Sequence, residues 1–281
     1  DVVIHLAAQP LVRKSYDEPL ETFSTNILGT ANLLESVRDT PSVQSCIIMT
    51  SDKAYENKEW DYAYRENDSM GGHDPYSASK GAAELIVSSY RRSFFNKTNS
   101  PGIASIRAGN VIGGGDWSED RLIPDCIRSL QSNKKIILRN PNSIRPWQYV
   151  LESLSGLLLI GSKLSKNSKR FGRAWNIGPV NISDASVKFI AEKIIKKWGH
   201  GTIKIKRNHL HEAKSLQLDS SNIVNMLKWR PIYSIEETID ETVNWYLHFN
   251  KNKKSIFDYT ISQINNYVTK ANKSKNVWIS T

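Results

Sequence analysis

Residues 2–50 read VVIHLAAQPLVRKSYDEPLETFSTNILGTANLLESVRDTPSVQSCIIMT, two short apolar runs on either side of one long helical pattern. Val2–Ala7 and Cys46–Thr50 have the length and apolar character that are typical of buried strands. Between them, apolar residues recur at helical spacing over Glu21–Arg38, and Pro19 stands near the start, where a helix tolerates proline. The segment therefore predicts a strand–helix–strand unit.

The same alternation continues along the chain. Ser77–Phe95 has helical spacing, and Ala104–Val111 is a third strand-like run. Right-handed crossovers between such strands give a doubly wound parallel sheet with helices on both faces. The sequence thus predicts an α/β, Rossmann-like fold.

Beyond Gly113 the alternation of strand-like and helical segments becomes less regular, which predicts a second, smaller lobe. We expect residues 1–112 and 141–180 to form the larger domain, and residues 113–140 and 181–281 to form the smaller C-terminal lobe. The further predicted elements are helices over 121–131, 150–164, 185–198 and 235–249, strands over 136–139, 174–177, 202–206 and 216–218, and a surface helix with a loose terminus after residue 250.

Composition excludes several classes of protein. The longest apolar stretch, near Leu157–Ile160, is far shorter than the eighteen residues of a transmembrane helix. Two cysteines, Cys46 and Cys126, lie within predicted core elements, and no leader sequence precedes them. We expect a cytoplasmic protein with no membrane partner and no disulfide framework.

The net charge of +10 results from 38 Lys and Arg against 28 Asp and Glu. The basic residues are scattered or lie in Lys- and Asn-rich stretches, without an arginine-rich helix or a zinc-finger motif. A solvated surface is the favoured explanation and an anionic small-molecule substrate the second. Nucleic acid is not expected as a partner.

Tyr76 and Lys80 lie four residues apart in the motif YSASK, at the start of the second predicted helix. One helical turn brings both side chains to the same face. A tyrosine ordinarily titrates near pH 10, and a nearby ammonium lowers its pKa by stabilising the phenolate. The pair predicts a catalytic base, although this spacing also occurs by chance in helices.

Polar residues follow two of the predicted strands, where an open parallel sheet places its ligand crevice. Ser51, Asp52 and Lys53 deliver a hydroxyl, a carboxylate and an amine there, although such an aspartate also serves as a simple turn cap. After the first strand, the small residues of HLAAQ allow a flat ligand to approach the backbone. Alternatively, they serve only tight packing within the sheet. Asn26 is an interior polar residue that needs a partner.

These residues lie within phrases that resemble the extended short-chain dehydrogenase/reductase family and, within it, the nucleotide-sugar 4,6-dehydratases. The phrases are HLAAQPLVRKSYDEP, TSDKAYENKEW, YRENDSMGGHDPYSASKGAAEL, RAGNVIGGGDW, DRLIPD, IRPWQYVLE and WNIGP. They extend across most of residues 1–180. The resemblance implies a hydro-lyase with tightly held NAD that acts on a nucleotide sugar, in deoxysugar synthesis for lipopolysaccharide.

The resemblance also implies roles for the catalytic residues. Tyr76, helped by Lys80, would remove the proton of the sugar 4-hydroxyl, and Ser51 would hydrogen-bond the same oxygen. Asp52 would be the acid at O6, and Lys53, where the commoner pattern has Glu, would be the C5 base or its electrostatic helper. A 4-epimerase of the family usually has small residues at the positions of Asp52 and Lys53. The presence of an acid and an amine there therefore favours elimination.

Binding residues follow from the same resemblance. Asn110 would lie beside the sugar diphosphate, and Arg121 and Arg145 would clamp phosphates. The remaining predicted contacts are Trp147 on the substrate, and Ala7, Ala8, Gln9 and Asn26, with Tyr76 and Lys80, on NAD. Dimerisation through the helices that follow Pro19 and contain Lys80 is implied as well. His209 and His211 lack the spacing of a metal site, so no metal is expected.

The glycine-rich turn that holds the NAD pyrophosphate in this fold does not follow the first strand. The densest glycine cluster, Gly113–Gly115, follows the strand that bears Asn110 instead. Residue 1 is Asp and opens directly on an apolar run, and the resemblance implies two further strand–helix units before it. We expect a fragment that binds NAD weakly. A related dehydratase or epimerase, or a non-catalytic remnant, remains an alternative.

Overall fold

The computed structural model describes residues 1–97, 99–180, 185–206, 215–276 and 278. Its main sheet contains four parallel strands in the order β1-β2-β3-β7. The strands are β1 (Val2–His5), β2 (Ser45–Met49), β3 (Gly102–Ala108) and β7 (Ala174–Ile177). β1 and β2 are connected by α1 (Val12–Asp17), α2 (Pro19–Phe23), a π-helical turn (Ser24–Leu28) and α3 (Gly29–Arg38), and β2 and β3 by a 3₁₀ turn (Asp52–Ala54) and α4 (Pro75–Ser93).

The main sheet is covered by helices on both faces, because successive strand residues point in opposite directions. In β2, Cys46 and Ile48 belong to a core with residues of α3 and α4. Ile47, between them, packs in a second core with α6 (Val150–Lys166). The predicted doubly wound, Rossmann-like α/β fold is confirmed.

A third core lies outside the main sheet. α5 (Leu122–Gln131), α8 (Val187–Trp198) and α10 (Ile235–Lys251) pack around it. A parallel pair of short strands, β5 (Ile136–Leu138) and β8 (Ile203–Ile205), covers it. The other elements are the parallel pair β4 (Val111–Ile112) and β6 (Gln148–Tyr149), the helices α7 (Ser168–Phe171), α9 (Ser221–Leu227) and α11 (Ile256–Lys273), and a 3₁₀ turn (Lys253–Ser255).

Two predicted strands differ from the observed ones. The run predicted over 104–111 is interrupted after Ala108, and Val111 pairs with Gln148 of β6 instead of continuing along the main sheet. At Gly109 a β-carbon would come within 2.2 Å of Pro146, so the chain leaves the sheet where only glycine fits. The segment predicted over 216–218 forms an isolated bridge, Tyr64 to Leu218, rather than a strand.

In the described part of the chain, no helix has both the length and the apolarity that crossing a bilayer requires.

Candidate active site

A cavity of about 710 Å³ lies beyond the carboxyl ends of β2 and β3, between the main sheet and the third core. This is the edge of a parallel sheet at which ligands bind in open α/β folds. The cavity brings together eight residues that the sequence predicted: Ser51, Asp52, Lys53, Tyr76, Asn110, Arg121, Arg145 and Trp147.

Ser51 and Asp52 are positioned by the turn that follows β2. The Ser51 hydroxyl caps this turn by accepting the backbone N–H of Lys53 over 3.2 Å, and it donates to Asp52 Oδ1 over 3.0 Å. Asp52 Oδ2 has no hydrogen-bond partner among the described residues, although Asp52 is only 3% exposed. One oxygen of the carboxyl group is thus fixed, and the other is buried without a partner among the described residues.

The Asp52 carboxyl group has a raised pKa. Burial raises it, and the positive charges of Lys53 and Arg145 and the hydrogen bond from Ser51 offset only part of this effect. A buried carboxyl group with a raised pKa retains its proton to higher pH than an exposed one. Asp52 is therefore suited to donate a proton to a leaving group.

Tyr76 and Lys80 lie on the first turns of α4, both nearly buried, with Lys80 Nζ 6.0 Å from the centre of the Tyr76 ring. The backbone N–H of Tyr76 donates to Ser15 Oγ of α1. Burial raises the pKa of Tyr76 to about 12, and its hydrogen bond with Ser51 lowers it only in part. Burial thus disfavours the phenolate in these residues alone, and the lowering of this pKa by Lys80 stays a prediction.

Burial also acts on Lys80, whose pKa it lowers to about 8, while the charge of Glu84 raises it. Lys80 Nζ makes no hydrogen bond within the ranges that the structure describes, and Lys80, which is 6% exposed, lies beside Tyr76 without lining the cavity itself. A buried ammonium with unused donors beside a tyrosine fits the hydroxyl groups of a ribose. The residues present here therefore fit a nicotinamide dinucleotide on this side of the cleft.

Gln9 and Asn26 do not line the cavity, so their contact with the cofactor stays a prediction. Asn26 accepts the backbone N–H of Gln9 and donates to the Gln9 carbonyl oxygen and to Ser79 Oγ of α4. The amide thereby ties the loop after β1 to α4, which explains why a polar side chain is buried there. Ala7 and Ala8 of the same loop also lie outside the cavity lining.

Arginines line the opposite side of the cavity. Arg121 precedes α5 and donates to Asp116 over 2.9 Å, with its side chain 40% exposed. Arg145 donates to the Ile144 carbonyl oxygen, and its charge acts on Asp52. Two guanidinium groups on one cleft suit a diphosphate.

Trp147 lines the cavity and also belongs to the third core. It is 6% exposed, and its indole N–H donates to the Ala185 carbonyl oxygen over 3.0 Å. Because that single donor is already used, Trp147 can offer a ligand only its ring.

The sequence did not predict a pair of Arg–Asp ion pairs that share one aspartate in the cavity. Asp120 accepts a hydrogen bond over 2.7 Å from Arg139, which directly follows β5. Asp120 also forms an ion pair with Arg13 of α1 over 3.3 Å. All three residues line the cavity. No sequence pattern indicated this pairing, because its three members are far apart in the chain.

Among the described ranges, no cluster of three or more His, Cys, Asp or Glu side chains could hold a metal ion. His209 and His211, singled out in the sequence, lie outside the described residues.

Comparisons with known proteins extend these observations. The protein family described as GDP-mannose 4,6 dehydratase matches residues 1–242. The CDP-glucose 4,6-dehydratase of Salmonella typhimurium is 48% identical over 252 residues, which are 88% of this chain and 70% of that enzyme.

Solved structures show the same fold at lower identity. A dTDP-glucose 4,6-dehydratase from Streptomyces venezuelae, solved with NAD bound, has a TM-score of 0.77 at 21% identity and covers 90% of this chain and 74% of its own. A UDP-glucuronic acid 4-epimerase from Bacillus cereus has a TM-score of 0.77 at 22% identity, with 89% and 76% coverage. The fold is therefore common to dehydratases and epimerases, and the site residues must separate the two activities.

Proposed function

This chain belongs to the GDP-mannose 4,6-dehydratase family, and on that premise we propose that it carries the catalytic site of a CDP-glucose 4,6-dehydratase. The reaction converts CDP-D-glucose to CDP-4-keto-6-deoxy-D-glucose with loss of water. The observation that carries the proposal is Asp52, a buried carboxyl group with a raised pKa and one unpartnered oxygen, next to Tyr76 and Ser51. A 4-epimerase needs no such acid, because it eliminates nothing.

The first step is oxidation at C4, in which the sugar loses the proton of its 4-hydroxyl and the hydride of C4 and becomes a 4-ketone. Tyr76 accepts this proton, and Ser51, which hydrogen-bonds Tyr76, holds the reacting oxygen. When bound, NAD supplies the positive charge and the hydride acceptor and donor that the cycle needs. Tyr76, whose own surroundings disfavour the phenolate, becomes an effective base only next to such a charge.

The second step is elimination across C5 and C6. The 4-ketone acidifies the C5 proton, and Asp52 protonates the departing 6-hydroxyl. Lys53, adjacent to Asp52 and lining the same cavity, is proposed as the C5 base or as the charge that assists it. The site thus places an acid and an amine on neighbouring residues.

The substrate would lie across both sides of the cleft. We propose that Arg121 and Arg145 bind the diphosphate and that Asn110 lies beside it. The two-lobe division supports this arrangement, since residues of 113–140 line one side and residues of the main sheet the other. Ala7, Ala8, Gln9 and Asn26 would shape the cofactor side of the cleft, and Lys80 would bind the cofactor directly.

We propose that the NAD pyrophosphate is bound mainly by an element other than the loop after β1. The loop after β1 contains no glycine and precedes α1, a helix of only six residues. We therefore propose that these residues supply the nicotinamide side of the site and not its main pyrophosphate-binding turn.

We also propose that the enzyme is a homodimer that works in the cytoplasm, in deoxysugar synthesis for lipopolysaccharide. Leu20, Leu28 and Leu85 are 81%, 58% and 62% exposed on α2, the π-helical turn and α4. Large apolar side chains on adjacent helices are suited to a partner surface. Cys46 and Cys126 are buried and free.

Product analysis tests the proposed function. The protein that contains these residues would be supplied with NAD and with CDP-, dTDP-, GDP- or UDP-linked glucose, and the 4-keto chromophore would be followed. We expect the 4-keto-6-deoxy product with CDP-glucose. Formation of the C4 epimer without water loss would instead identify an epimerase, and preference for another nucleotide would reassign the substrate.

A further inference from the structure

A buried polar network lies directly behind the candidate active site and has no part in the chemistry described so far. Glu84 of α4 accepts a hydrogen bond from Thr50 over 2.5 Å through Oε1. Its Oε2 accepts from Ser105 over 2.9 Å and from Arg107 of β3 over 2.7 Å. Glu84 is 3% exposed and Arg107 5%, so the carboxylate is removed from water and fully engaged.

Stability alone is a weak reason for such a network. A buried ion pair rarely stabilises a fold more than apolar residues of similar size, because both charges lose their hydration. The network ties together three elements that define the cleft, since Thr50 directly follows β2, Arg107 is near the end of β3, and Glu84 lies on the helix that bears the Tyr–Lys pair.

Two contacts connect Glu84 to groups of the site. Thr50 immediately precedes Ser51 and Asp52, so the hydrogen bond to Glu84 fixes the backbone from which these side chains project. Lys80 lies four residues before Glu84 on the same face of α4. The negative charge of Glu84 opposes the effect of burial on the ammonium.

We propose that Glu84 is a positioning residue of the candidate active site, whose carboxylate keeps Lys80 in its charged form and anchors the end of β2 through Thr50. This inference rests on the proposed function. Arg107 holds the carboxylate ionised: burial alone would raise the pKa of Glu84, but the charge and hydrogen bond of Arg107, with the hydrogen bonds of Thr50 and Ser105, bring it below its ordinary value. Glu84 thus carries its negative charge throughout the neutral pH range.

The groups around Lys80 determine how much the negative charge of Glu84 affects its protonation. His5 faces Lys80 from β1, and Tyr76 and Glu84 face it from α4, with Arg107 behind Glu84. Burial and proximity to Lys80 lower the pKa of His5, so His5 is neutral and adds no positive charge at neutral pH. Of these four groups, Glu84 alone supplies a counter-charge to Lys80 in that range.

The test is the titration of Lys80 in the protein without substrate. Lysine labelled with ¹³C at Cε gives an NMR resonance for Lys80, which is assigned by its absence in Lys80→Arg. We expect Glu84→Gln to lower the titration midpoint by about one pH unit and Glu84→Asp to restore much of it. The alkaline limb of kcat in the assay above should move by the same amount.

Glu152→Gln is the matched control. Glu152 is also a buried carboxylate and accepts hydrogen bonds from Tyr267 and two backbone N–H groups, but it is not among the groups that act on Lys80. We expect it to reduce thermal stability without moving the Lys80 midpoint. If both variants leave the midpoint unchanged, or both shift it equally, the inference is overturned.

A second variant covers the case in which Glu84→Gln fails to fold because Arg107 is left unpaired. Glu84→Gln/Arg107→Gln removes both charges, and a lowered Lys80 midpoint is again expected, whereas an unchanged one overturns the proposal. Because the titration needs no turnover, a shifted midpoint in a protein that dehydrates no nucleotide sugar would contradict the proposed function and not the link between Glu84 and Lys80.

Discussion

Asp52 packs so closely against Gly109 that a β-carbon at that glycine would stand 2.9 Å from Asp52 Oδ2. The backbone after β3 thus covers the carboxyl group from one side, and the Ser51 hydroxyl holds its other oxygen. Burial of this kind raises the pKa of Asp52 and keeps it protonated at higher pH than a free aspartate. The arrangement suits an acid that must deliver its proton in one direction.

Asp52→Asn should separate oxidation from elimination. The amide has nearly the same shape but cannot donate a carboxyl proton, so we expect water loss to slow by about 10² to 10⁴. NAD-linked oxidation of the sugar should stay measurable, by absorbance of the reduced cofactor in a single turnover.

The control for this variant is Asp74→Asn. Asp74 caps α4 by accepting from Ser77 and does not line the cavity. Because asparagine caps a helix about as well as aspartate, this variant should cost little stability and leave the selectivity between the two steps unchanged. Equal rates of 4-keto-6-deoxy product in Asp52→Asn and the unmodified protein would remove Asp52 from the mechanism.

Much of this site could be predicted from the sequence, because its residues follow strand ends or share a helical turn. The residues that could not be predicted depend on contacts between distant segments. Glu84 and Arg107 left one signal, since a glutamate on the buried face of α4 and an arginine inside an apolar strand each require a buried partner. The raised pKa of Tyr76 could not be predicted either, because the effect of burial depends on packing that the spacing of Tyr76 and Lys80 does not reveal.

The fold shows the same limit. Periodicity predicted the strands of the main sheet, since buried parallel strands are continuous apolar runs. It could not predict that the third run divides at Gly109, where Pro146 and Asp52 approach the backbone from distant parts of the chain. The break turns Asn110 and Val111 toward the cavity, so the predicted strand and the site depend on the same contact.

Lys53→Met should distinguish the two roles proposed for this residue. The charge of Lys53 lowers the pKa of Asp52, so its removal should raise that pKa and keep Asp52 protonated to higher pH. If Lys53 only assists by its charge, we expect the alkaline limb of the elimination rate to move upward while the maximal rate changes little. If it is the C5 base, elimination should fall about a hundredfold or more at every pH.

The measurement is exchange of the C5 proton with deuterated solvent, together with product formation. Lys58→Met is the control, since Lys58 lies over the Trp60 ring and does not line the cavity. A pH profile of Lys53→Met identical to that of the unmodified protein would exclude both roles.

Arg121→Gln should weaken substrate binding more than the chemical step. A charge-assisted hydrogen bond to phosphate contributes about 1.5 to 3 kcal/mol, so we expect KM for the nucleotide sugar to rise about tenfold or more. Arg128→Gln is a control on the same helix, because Arg128 pairs with Asp125 and does not line the cavity. A KM increase shared by both variants would indicate that α5 had been perturbed and would contradict direct binding by Arg121.

Leu28→Glu should dissociate the proposed dimer. The side chain is 58% exposed in the isolated chain, so a charge costs little there, but its burial in a partner surface would be strongly unfavourable. We expect sedimentation equilibrium to show a dimer for the unmodified protein and a monomer for this variant. Leu158→Glu, at a leucine of α6 that is 61% exposed, should leave the association unchanged. A monomeric unmodified protein, or loss of the dimer in both variants, would show that the face formed by α2, the π-helical turn and α4 is not the specific interface.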